Sequence, residues 1–227
     1  MLEADQNNIA IFEGNRAKNY DHFVDQWIPN YDYFMGLLPK ILDDVTNKKT
    51  LVVGCGTGNE ILSLASSSND WSFTGVDPSP EMIAIAKEKL DAYQNVEFFQ
   101  GVLEDLKKPL FFGAATLLLV LHFVKYPNEK LQLLKEIEKR LISGAPLIIL
   151  GIFGTGKQLR ANLKILRHMV PDSVGEKEIE ERFDRIKNLL HRSTEEELTK
   201  LLFRAGFEPP TRFFQASIYS GWITRKL

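Results

Sequence analysis

Short apolar runs alternate with amphipathic segments through the middle of the chain. The amphipathic segments, of which SPEMIAIAKEKLDAY and PNEKLQLLKEIEKRLI are the clearest, have the apolar spacing of helices. The apolar runs are TLVV, WSFTGVD, VEFFQ, AATLLLVL and PLIILGIF, and each has the length of a strand. Because strands buried on both faces read as continuous apolar runs, we predict an α/β fold in which helices cover a doubly wound, Rossmann-like parallel sheet.

Local signals place several helix ends and the last two strands. Ser79 is the expected N-cap of the helix after the second strand, with Pro80 at its first position. Ser193 and Glu196 have the spacing of a capping box, and Gly144 is the expected stop of the helix after the fourth strand. The segments FEPPTRFFQAS and IYSGWITRK predict two closing strands, which must run antiparallel because their connection is short.

Composition and charge exclude several classes of protein. The 227 residues are 44% hydrophobic and 26% charged, and the formal net charge is −2, so no overall field favours nucleic acid or anionic lipid. Cys55 is the only cysteine, so no internal disulfide can form. The first residues lack the basic and apolar regions of a secretion signal, and no apolar run has membrane-spanning length. We therefore predict a cytoplasmic protein without a membrane partner.

Three glycines at alternate positions, Gly54, Gly56 and Gly58, follow the first strand in the run LVVGCGTGNEIL. Ligands of doubly wound sheets bind beyond the carboxyl ends of the strands, where glycine lets them approach bare backbone. The dinucleotide fingerprint G-x-G-x-x-G needs glycine where this chain has Asn59, which weakens the case for NAD without excluding it. Asp77 ends the second strand, where a carboxylate accepts hydrogen bonds from both hydroxyls of a ribose.

Four successive motifs, LVVGCGTGNEIL, GVDPSPEMIAIAKEKL, VEFFQGVLEDL and TLLLVLHFV, resemble the class I S-adenosylmethionine-dependent methyltransferases. The resemblance covers about residues 50–150, and LLFRAGFEPPTRFFQ is similar to the last helix and strand of that family. It implies a seven-stranded, mostly parallel sheet in which only the last strand is antiparallel. It also implies an enzyme that uses S-adenosylmethionine as cofactor and transfers its methyl group by in-line displacement.

The same resemblance assigns residues to the cofactor site. The glycine turn would lie under the methionine part, Asp77 would hold the ribose, and Pro78 and Met82 would flank the adenine. The other implied contacts are Cys55 in the turn, Gly101, Val102, Leu103 and Glu104 over the adenine edge, and Leu118 and Leu119 after the fourth strand. Val102 stands where many relatives carry an acid for the adenine amino group, so the contact by a side chain would fall to Glu104 or Asp105.

A finer resemblance concerns the segments before and after this core. WIPNYDYF and AGFEPPTRFFQ are similar to the carboxy-S-adenosylmethionine synthases of wobble-uridine tRNA modification, and this likeness implies that Tyr31 closes over the cofactor. In that family an arginine of the penultimate helix holds the extra carboxylate of the cofactor. The matching position here is Leu201, with Arg204 three residues later, so we favour ordinary methyl transfer.

The resemblance does not fix a catalytic residue. Displacement at a sulfonium methyl needs alignment more than acid or base, and a base helps only where the acceptor loses a proton. His122 follows the fourth strand and could act as a base, or could simply be hydrogen-bonded to backbone. Cys55 fits a small buried filler better than a reactive thiol, and we assign no metal site.

We expect one domain, residues 1–227, built in four parts. Residues 1–48 form N-terminal cap helices, with helical pattern from about residue 7 and a break at Pro29; residues 49–153 form the cofactor-binding core. Residues 154–192 form inserted cap helices, and residues 193–227 form the last helix and the closing hairpin.

Two other segments have alternative interpretations. Gly151, Gly156 and Lys157 match G-x-x-x-x-G-K, but Gln158 replaces the Ser or Thr that binds Mg²⁺ in a phosphate-binding loop, so a simple turn is favoured. The following run KQLRANLKILRH is basic enough to meet RNA, although the acidic run GEKEIEERFDR can pair with it.

These observations predict methyl transfer from S-adenosylmethionine to a small-molecule acceptor. The alternatives are a tRNA-modifying enzyme, either a methyltransferase or a carboxy-S-adenosylmethionine synthase, and a binding protein that has lost transfer. Nucleic acid is therefore a less favoured partner, and the sequence leaves homodimer formation open.

Overall fold

The structure is a computed structural model that describes residues 12–107 and 111–227. The first part of the expected N-terminal cap, residues 1–11, lies outside the described residues. Within them one sheet contains seven strands: β1 Lys49–Val53, β2 Ser72–Asp77, β3 Val96–Gln100, β4 Ala114–Leu118, β5 Pro146–Ile152, β6 Thr211–Ala216 and β7 Tyr219–Arg225.

The strand order is β3-β2-β1-β4-β5-β7-β6. Strands β1 to β5 pair in parallel, and β7 runs antiparallel to both β5 and β6. This confirms the predicted mostly parallel sheet with an antiparallel last strand. The chain moves outward from β1 to β3 and then returns to the other side of β1, so strand order reverses between β1 and β4.

Helices cover both faces of this sheet. They are α1 Asn15–Lys18, α2 Tyr20–Trp27, α3 Tyr31–Ile41, α4 Asn59–Ala65, α5 Pro80–Lys89, α6 Pro127–Arg140, α7 Gly156–Arg167, α8 Glu176–Asn188 and α9 Glu195–Ala205. A short 3-10 turn spans Leu103–Asp105.

The two faces have separate apolar cores. On one face α2, α3, α4, α7 and α8 contribute side chains that are at most 4% exposed, among them Val24, Phe34, Ile61, Leu163 and Phe183. On the other face α6 and α9 pack together on the sheet. The N-terminal and inserted helices thus share a face, which places both predicted caps on the same side of the molecule.

The predicted cap of α5 is confirmed: the Ser79 Oγ accepts a hydrogen bond from the Met82 N–H at 3.2 Å. The predicted capping box of α9 is wrong by one residue. Thr194 is the N-cap, its hydroxyl accepts from the Glu197 N–H at 3.2 Å, and the Glu197 carboxylate accepts from the Thr194 N–H at 2.8 Å. Ser193 is instead buried, and its hydroxyl accepts from the Lys130 ammonium at 2.9 Å.

The predicted stop of α6 at Gly144 is also wrong. The helix ends at Arg140, because Leu141 has extended dihedrals and forms a bridge with Phe112. Gly144 lies in the turn before β5 with φ +75°. Within the described residues, no helix combines the length and the apolar character needed to cross a membrane.

Candidate functional site

A cavity opens at the carboxyl ends of β1 and β4, where the strand order reverses. Its lining residues come from the glycine turn, the end of β4, and helices α2, α3 and α4: Tyr20, Tyr31, Gly54, Cys55, Gly56, Thr57, Asn59, Glu60, Leu118 and Leu119. Six residues that the sequence assigned to the cofactor, Tyr31, Gly54, Cys55, Gly56, Leu118 and Leu119, are therefore brought together.

The three glycines of the turn have different roles. All three have positive φ: 70° at Gly54, 51° at Gly56 and 83° at Gly58. A Cβ at Gly54 would lie 2.2 Å from Val120 Cγ2, and one at Gly58 would lie 2.8 Å from a Leu90 methyl carbon, so packing within the protein explains both. Gly56 leaves bare backbone beside the cavity without such a packing reason, since a Cβ there would meet Tyr20 Cε1 at 3.8 Å.

Asp77 ties the glycine turn to the end of β2. One carboxylate oxygen accepts from the Gly56 N–H and the other from the Ser79 N–H, both at 2.9 Å. The side chain is 8% exposed, and burial raises its pKa despite these two bonds. Each oxygen keeps a second lone pair, so the carboxylate can still accept from a hydroxyl. Asp77 adjoins the cavity through Gly56 and does not line it.

The residues expected around the adenine lie along the same edge, beyond Asp77. The Gly101 N–H donates to the Asp77 carbonyl at 3.0 Å, which places the turn after β3 beside the end of β2. Met82 and Leu103 are buried. None of the six expected residues here contacts the cavity described above: Pro78, Met82, Gly101, Val102, Leu103 and Glu104.

Glu60 lines the cavity although the sequence motifs do not predict it as a site residue. It stands in the first turn of α4, lines the cavity and is 5% exposed. Its Oε1 lies 3.5 Å from the Thr116 hydroxyl, and burial raises its pKa to about 8. An acid in the first helical turn is common, so no local pattern indicates that this carboxylate is buried.

The N-terminal helices close the cavity through a polar network, also missed from the sequence. The Asp21 carboxylate of α2 accepts from Thr57 Oγ1 at 2.6 Å, Asn59 Nδ2 at 3.0 Å and Lys89 Nζ at 2.7 Å. Asn59 Nδ2 also approaches the Tyr31 hydroxyl at 3.4 Å. These contacts hold α2 and α3 over the glycine turn.

The segment before α1 extends this cover toward α5 and the end of β4. The Phe12 carbonyl accepts from the Ser79 hydroxyl at 3.1 Å, and the Phe12 ring packs edge-on against Phe123 at 5.1 Å. The Gly14 N–H donates to Glu81 Oε2 at 2.5 Å. These contacts hold the segment before α1 against the start of α5, next to the end of β2.

His122 is held as a structural residue. It is 5% exposed, and its Nδ1 accepts from the Ile152 N–H at 3.4 Å, which leaves the ring proton on Nε2. Burial, followed by the charges of Arg182, Lys130 and Arg192, lowers its pKa to about 3. With Nδ1 engaged and Nε2 protonated, the ring has no free lone pair, so we assign it no role as a base.

The rival glycine segment forms no phosphate cradle. Gly151 lies inside β5, opposite Ser220 of β7, and Gly156 begins α7. In the basic helix α7, Arg167 pairs with Glu176 and Glu180 of α8, as the sequence predicted. Among residues 12–107 and 111–227, no group of three or more His, Cys, Asp or Glu side chains is arranged for a metal ion.

Leu201, the position matched to the arginine of the carboxy-S-adenosylmethionine synthases, lies in the core formed by α6 and α9. It is 6% exposed and belongs to the face of the sheet opposite the caps, while Arg204 is exposed on the same helix.

Part of this chain matches a protein-family model, and nearly all of it is similar to curated relatives. Residues 51–144 match the model of a methyltransferase domain. Over nearly its whole length the chain is similar to the carboxy-S-adenosyl-L-methionine synthase of Campylobacter concisus, with 28% identity over 95% of this chain and 94% of the relative. The carboxy-S-adenosyl-L-methionine synthase 1 of Yersinia pseudotuberculosis is 25% identical over 96% and 95% of the two chains.

Solved structures with a similar fold include methyltransferases at low sequence identity. N,N-8-amino-8-demethyl-D-riboflavin dimethyltransferase from Streptomyces davawensis aligns with a TM-score of 0.65, 18% identity and coverage of 96% of this chain and 61% of that one. Human N-acetylserotonin methyltransferase, solved with its S-adenosylmethionine, aligns with a TM-score of 0.56, 18% identity and coverage of 85% and 55%. This chain thus spans less than two thirds of these solved structures, and the likeness shows the fold.

Proposed function

We propose that this chain is a class I S-adenosylmethionine-dependent methyltransferase, and that it transfers the cofactor methyl group to a small-molecule acceptor in the cavity between β1 and β4. One observation carries the proposal. The bare backbone of Gly56 lines the cavity, and its N–H donates a hydrogen bond to the carboxylate that ends β2. A floor without a side chain beside such a carboxylate suits a nucleoside cofactor.

The residues present fit S-adenosylmethionine at both ends. Toward the methionine part, Leu118 and Leu119 offer apolar surface, and Glu60 offers a carboxylate opposite in charge to the α-ammonium. Toward the ribose, the free lone pairs of Asp77 can accept from the two hydroxyls. Val102 provides a backbone N–H where the resemblance places the adenine.

When bound, the cofactor supplies a methyl group on a sulfonium whose departing thioether is neutral, so the protein need not supply an acid. The chain's own residues have to align the acceptor with that methyl and exclude water. The Asp21 network and the aromatic side chains of α2 and α3 enclose the cavity and serve both purposes. In such a transfer the acceptor atom would gain the methyl carbon as the carbon–sulfur bond breaks, and any acceptor proton would leave to solvent.

A second candidate is carboxy-S-adenosylmethionine synthesis. It is supported by the likeness to synthases of that name over 95% of this chain, which includes both cap regions as well as the core. A likeness restricted to residues 51–144 would support only the cofactor domain.

Thermal unfolding tests the cofactor. We expect S-adenosylmethionine and S-adenosylhomocysteine to raise the Tm, and NAD to leave it unchanged. Stabilisation by NAD instead, or by none of the three, would contradict the proposal. A pure binding protein would show the Tm shift but would form no S-adenosylhomocysteine when supplied with cell metabolites.

Mass spectrometry of the nucleoside that stays bound after purification separates the two candidates. An S-adenosylmethionine that carries an additional carboxylate would favour the synthase. Unmodified S-adenosylmethionine or S-adenosylhomocysteine, together with a methylated product in the incubated extract, would favour methyl transfer.

A further inference from the structure

Arg16 and Arg182 of the two caps meet at the ring of Phe23, whose neighbour Tyr20 lines the cavity, and Arg185 lies one helical turn from Arg182. Arg16 belongs to α1, and Arg182 and Arg185 belong to α8. The Arg16 Cζ lies 5.1 Å from the Phe12 ring centroid and 5.7 Å from that of Phe23, while the Arg182 Cζ lies 4.8 Å from the Phe23 centroid. Segments far apart in sequence thus bring two cations to one aromatic ring.

These arginines are not paired inside the protein. Within the described part of the chain none of Arg16, Arg182 and Arg185 makes a side-chain hydrogen bond or an ion pair, and the Arg182 Nε is buried without a partner. The chain pairs other arginines: Arg167 contacts two carboxylates of α8, and Arg140 contacts Glu136 at 2.7 Å. Arg140 and Arg192 also have a buried Nε without a partner, but their terminal nitrogens donate to oxygen atoms of the protein. Guanidinium groups that are partly buried without any such bond are costly, so their placement needs a reason.

The charges of the three groups also oppose one another. Burial and then the charges of Arg185 and Arg182 lower the pKa of Arg16 to about 10. Burial and the Arg182 charge lower the pKa of Arg185. The Arg16 charge also acts on the pKa of Tyr20, a residue that lines the cavity and whose ring lies 6.4 Å from that of Phe23.

We propose that Arg16, Arg182 and Arg185 form a binding site for the carboxylate of a small organic substrate, beside the cofactor cavity and over the ring of Phe23. A carboxylate would satisfy the forked guanidinium donors and remove their mutual repulsion. The rings of Phe12 and Phe23 give the substrate an apolar floor next to the charges. The assignment rests on the proposed function, because it gives the acceptor of that site a chemical class.

The position of the cluster favours a small molecule over RNA. The guanidiniums are half-buried against aromatic rings, where a phosphate backbone has little access. The net charge of −2 provides no long-range attraction for a polyanion.

Binding of simple carboxylates in the presence of S-adenosylhomocysteine tests the site. Benzoate, phenylpyruvate and citrate are titrated by calorimetry at constant ionic strength, with benzamide as the neutral counterpart of benzoate. We expect at least one of the carboxylates to bind, benzamide not to bind, and Arg182→Gln to weaken that carboxylate by about tenfold or more. Arg204→Gln, an exposed arginine on the opposite face, should bind as the wild type does.

A stability measurement separates a binding role from a structural one. Arg185→Gln removes a like charge and no aromatic contact of the described residues, so the Tm of the ligand-free protein should stay equal or rise while carboxylate binding falls. A lower Tm with unchanged carboxylate binding would overturn the proposal.

Three further outcomes would also overturn it: no carboxylate binding more tightly than benzamide, equal binding by Arg182→Gln and Arg204→Gln, or salt-sensitive tRNA binding lost in Arg182→Gln. S-adenosylhomocysteine affinity, measured in the same samples, should not change in Arg182→Gln. If the wild type fails to bind S-adenosylhomocysteine, the proposed function fails, and the carboxylate result still reports on the arginine cluster.

Discussion

At the residue scale, Glu60 is the least expected side chain of the cavity. A carboxyl group that is 5% exposed, with a 3.5 Å contact to one hydroxyl, is poorly compensated for the loss of water. Its raised pKa, about 8, means that the ligand-free protein holds it protonated at neutral pH. A cationic group entering the cavity would favour the ionised form, so cofactor binding near neutral pH should release a proton.

We therefore expect Glu60→Gln to stabilise the ligand-free protein, and to do so more at pH 8 than at pH 5. The folded pKa lies above the unfolded value of 4.5, so wild-type stability is full below that value and is lost as pH rises toward about 8. The gain in unfolding free energy should grow by on the order of 1 kcal/mol per pH unit in this window. Urea denaturation at several pH values measures it.

Glu88→Gln provides the control, because it removes the carboxylate of an exposed residue of α5 that does not line the cavity. In the same variants, S-adenosylmethionine should bind Glu60→Gln more weakly and without proton release, as calorimetry in buffers of different ionisation enthalpy would reveal. A flat pH dependence for Glu60→Gln would contradict the assignment.

Gly54 and Gly56 should differ when each is replaced by alanine. At Gly54 the new methyl group meets Val120 at 2.2 Å, so we expect a loss of about 2–4 kcal/mol in unfolding free energy. At Gly56 the nearest atom is 3.8 Å away, so only the left-handed backbone adds a cost, about 1 kcal/mol.

After correction for the folded fraction, we expect Gly56→Ala to bind the cofactor more weakly than Gly54→Ala does. The Gly56→Ala methyl group projects into the cavity and should weaken S-adenosylmethionine binding, whereas Gly54→Ala mainly lowers stability. Urea denaturation and calorimetry on both variants make the comparison. Full affinity in Gly56→Ala would show that the cofactor does not lie on this turn.

At the element scale, the Asp21 carboxylate connects α2 to the glycine turn by hydrogen bonds. Asp21 accepts hydrogen bonds from two residues of the turn region and from Lys89 of α5. Burial raises its pKa, but the bonds from Lys89, Thr57 and Asn59 outweigh burial, so the pKa is lowered. A carboxyl group whose pKa is lowered by folding stabilises the folded state above its unfolded pKa. That contribution is lost as pH falls through the folded pKa.

We expect Asp21→Asn to cost about 1 kcal/mol of stability and to speed cofactor release, because the cap would open more often. Stopped-flow measurement of S-adenosylhomocysteine dissociation tests this, with hydrogen exchange of α2 as a second readout. Asp25→Asn on the same helix is the control, since Asp25 is exposed and makes no side-chain hydrogen bond within residues 12–107 and 111–227. Equal dissociation rates in the two variants would show that the Asp21 hydrogen bonds do not hold α2 over the bound cofactor.

Elements were predictable where their cause is local in sequence. The strand runs, the Ser79 cap of α5 and the antiparallel closing pair depend on neighbouring residues, and the structure has all of them. The box at Ser193 was displaced to Thr194 because Ser193 is required by buried Lys130. The end of α6 was misplaced because Leu141 pairs with Phe112, a contact that no local pattern announces.

The same distinction applies to the candidate site, where some residues could be predicted from local motifs and others could not. The glycine turn, Asp77 and the end of β4 follow from motifs, and the topology brings them to one edge. Glu60, the Asp21 network and the arginine cluster could not be foreseen, because each depends on where distant helices pack. Their residue types, acids and arginines on helices, look like solvated surface when read in sequence.

At the scale of the whole molecule, the distribution of charge bears on the tRNA alternative. The basic helix α7 has Arg160 and Lys164 exposed, but Arg167 is neutralised by Glu176 and Glu180 of α8. The pairing removes Arg167 from the positive face of α7, and the net charge of −2 provides no long-range attraction for RNA.

We expect the purified protein to carry no RNA and to shift tRNA in a gel only weakly at about 50 mM salt and not at about 200 mM. Replacing Arg167 by Gln should not change this, because a paired arginine releases no counterions from RNA. Removing its partners with Glu176→Gln and Glu180→Gln should create a positive patch and strengthen binding at low salt. Tight wild-type binding that Arg167→Gln abolishes would instead establish α7 as an RNA-binding surface, and the acceptor would then have to be sought in tRNA.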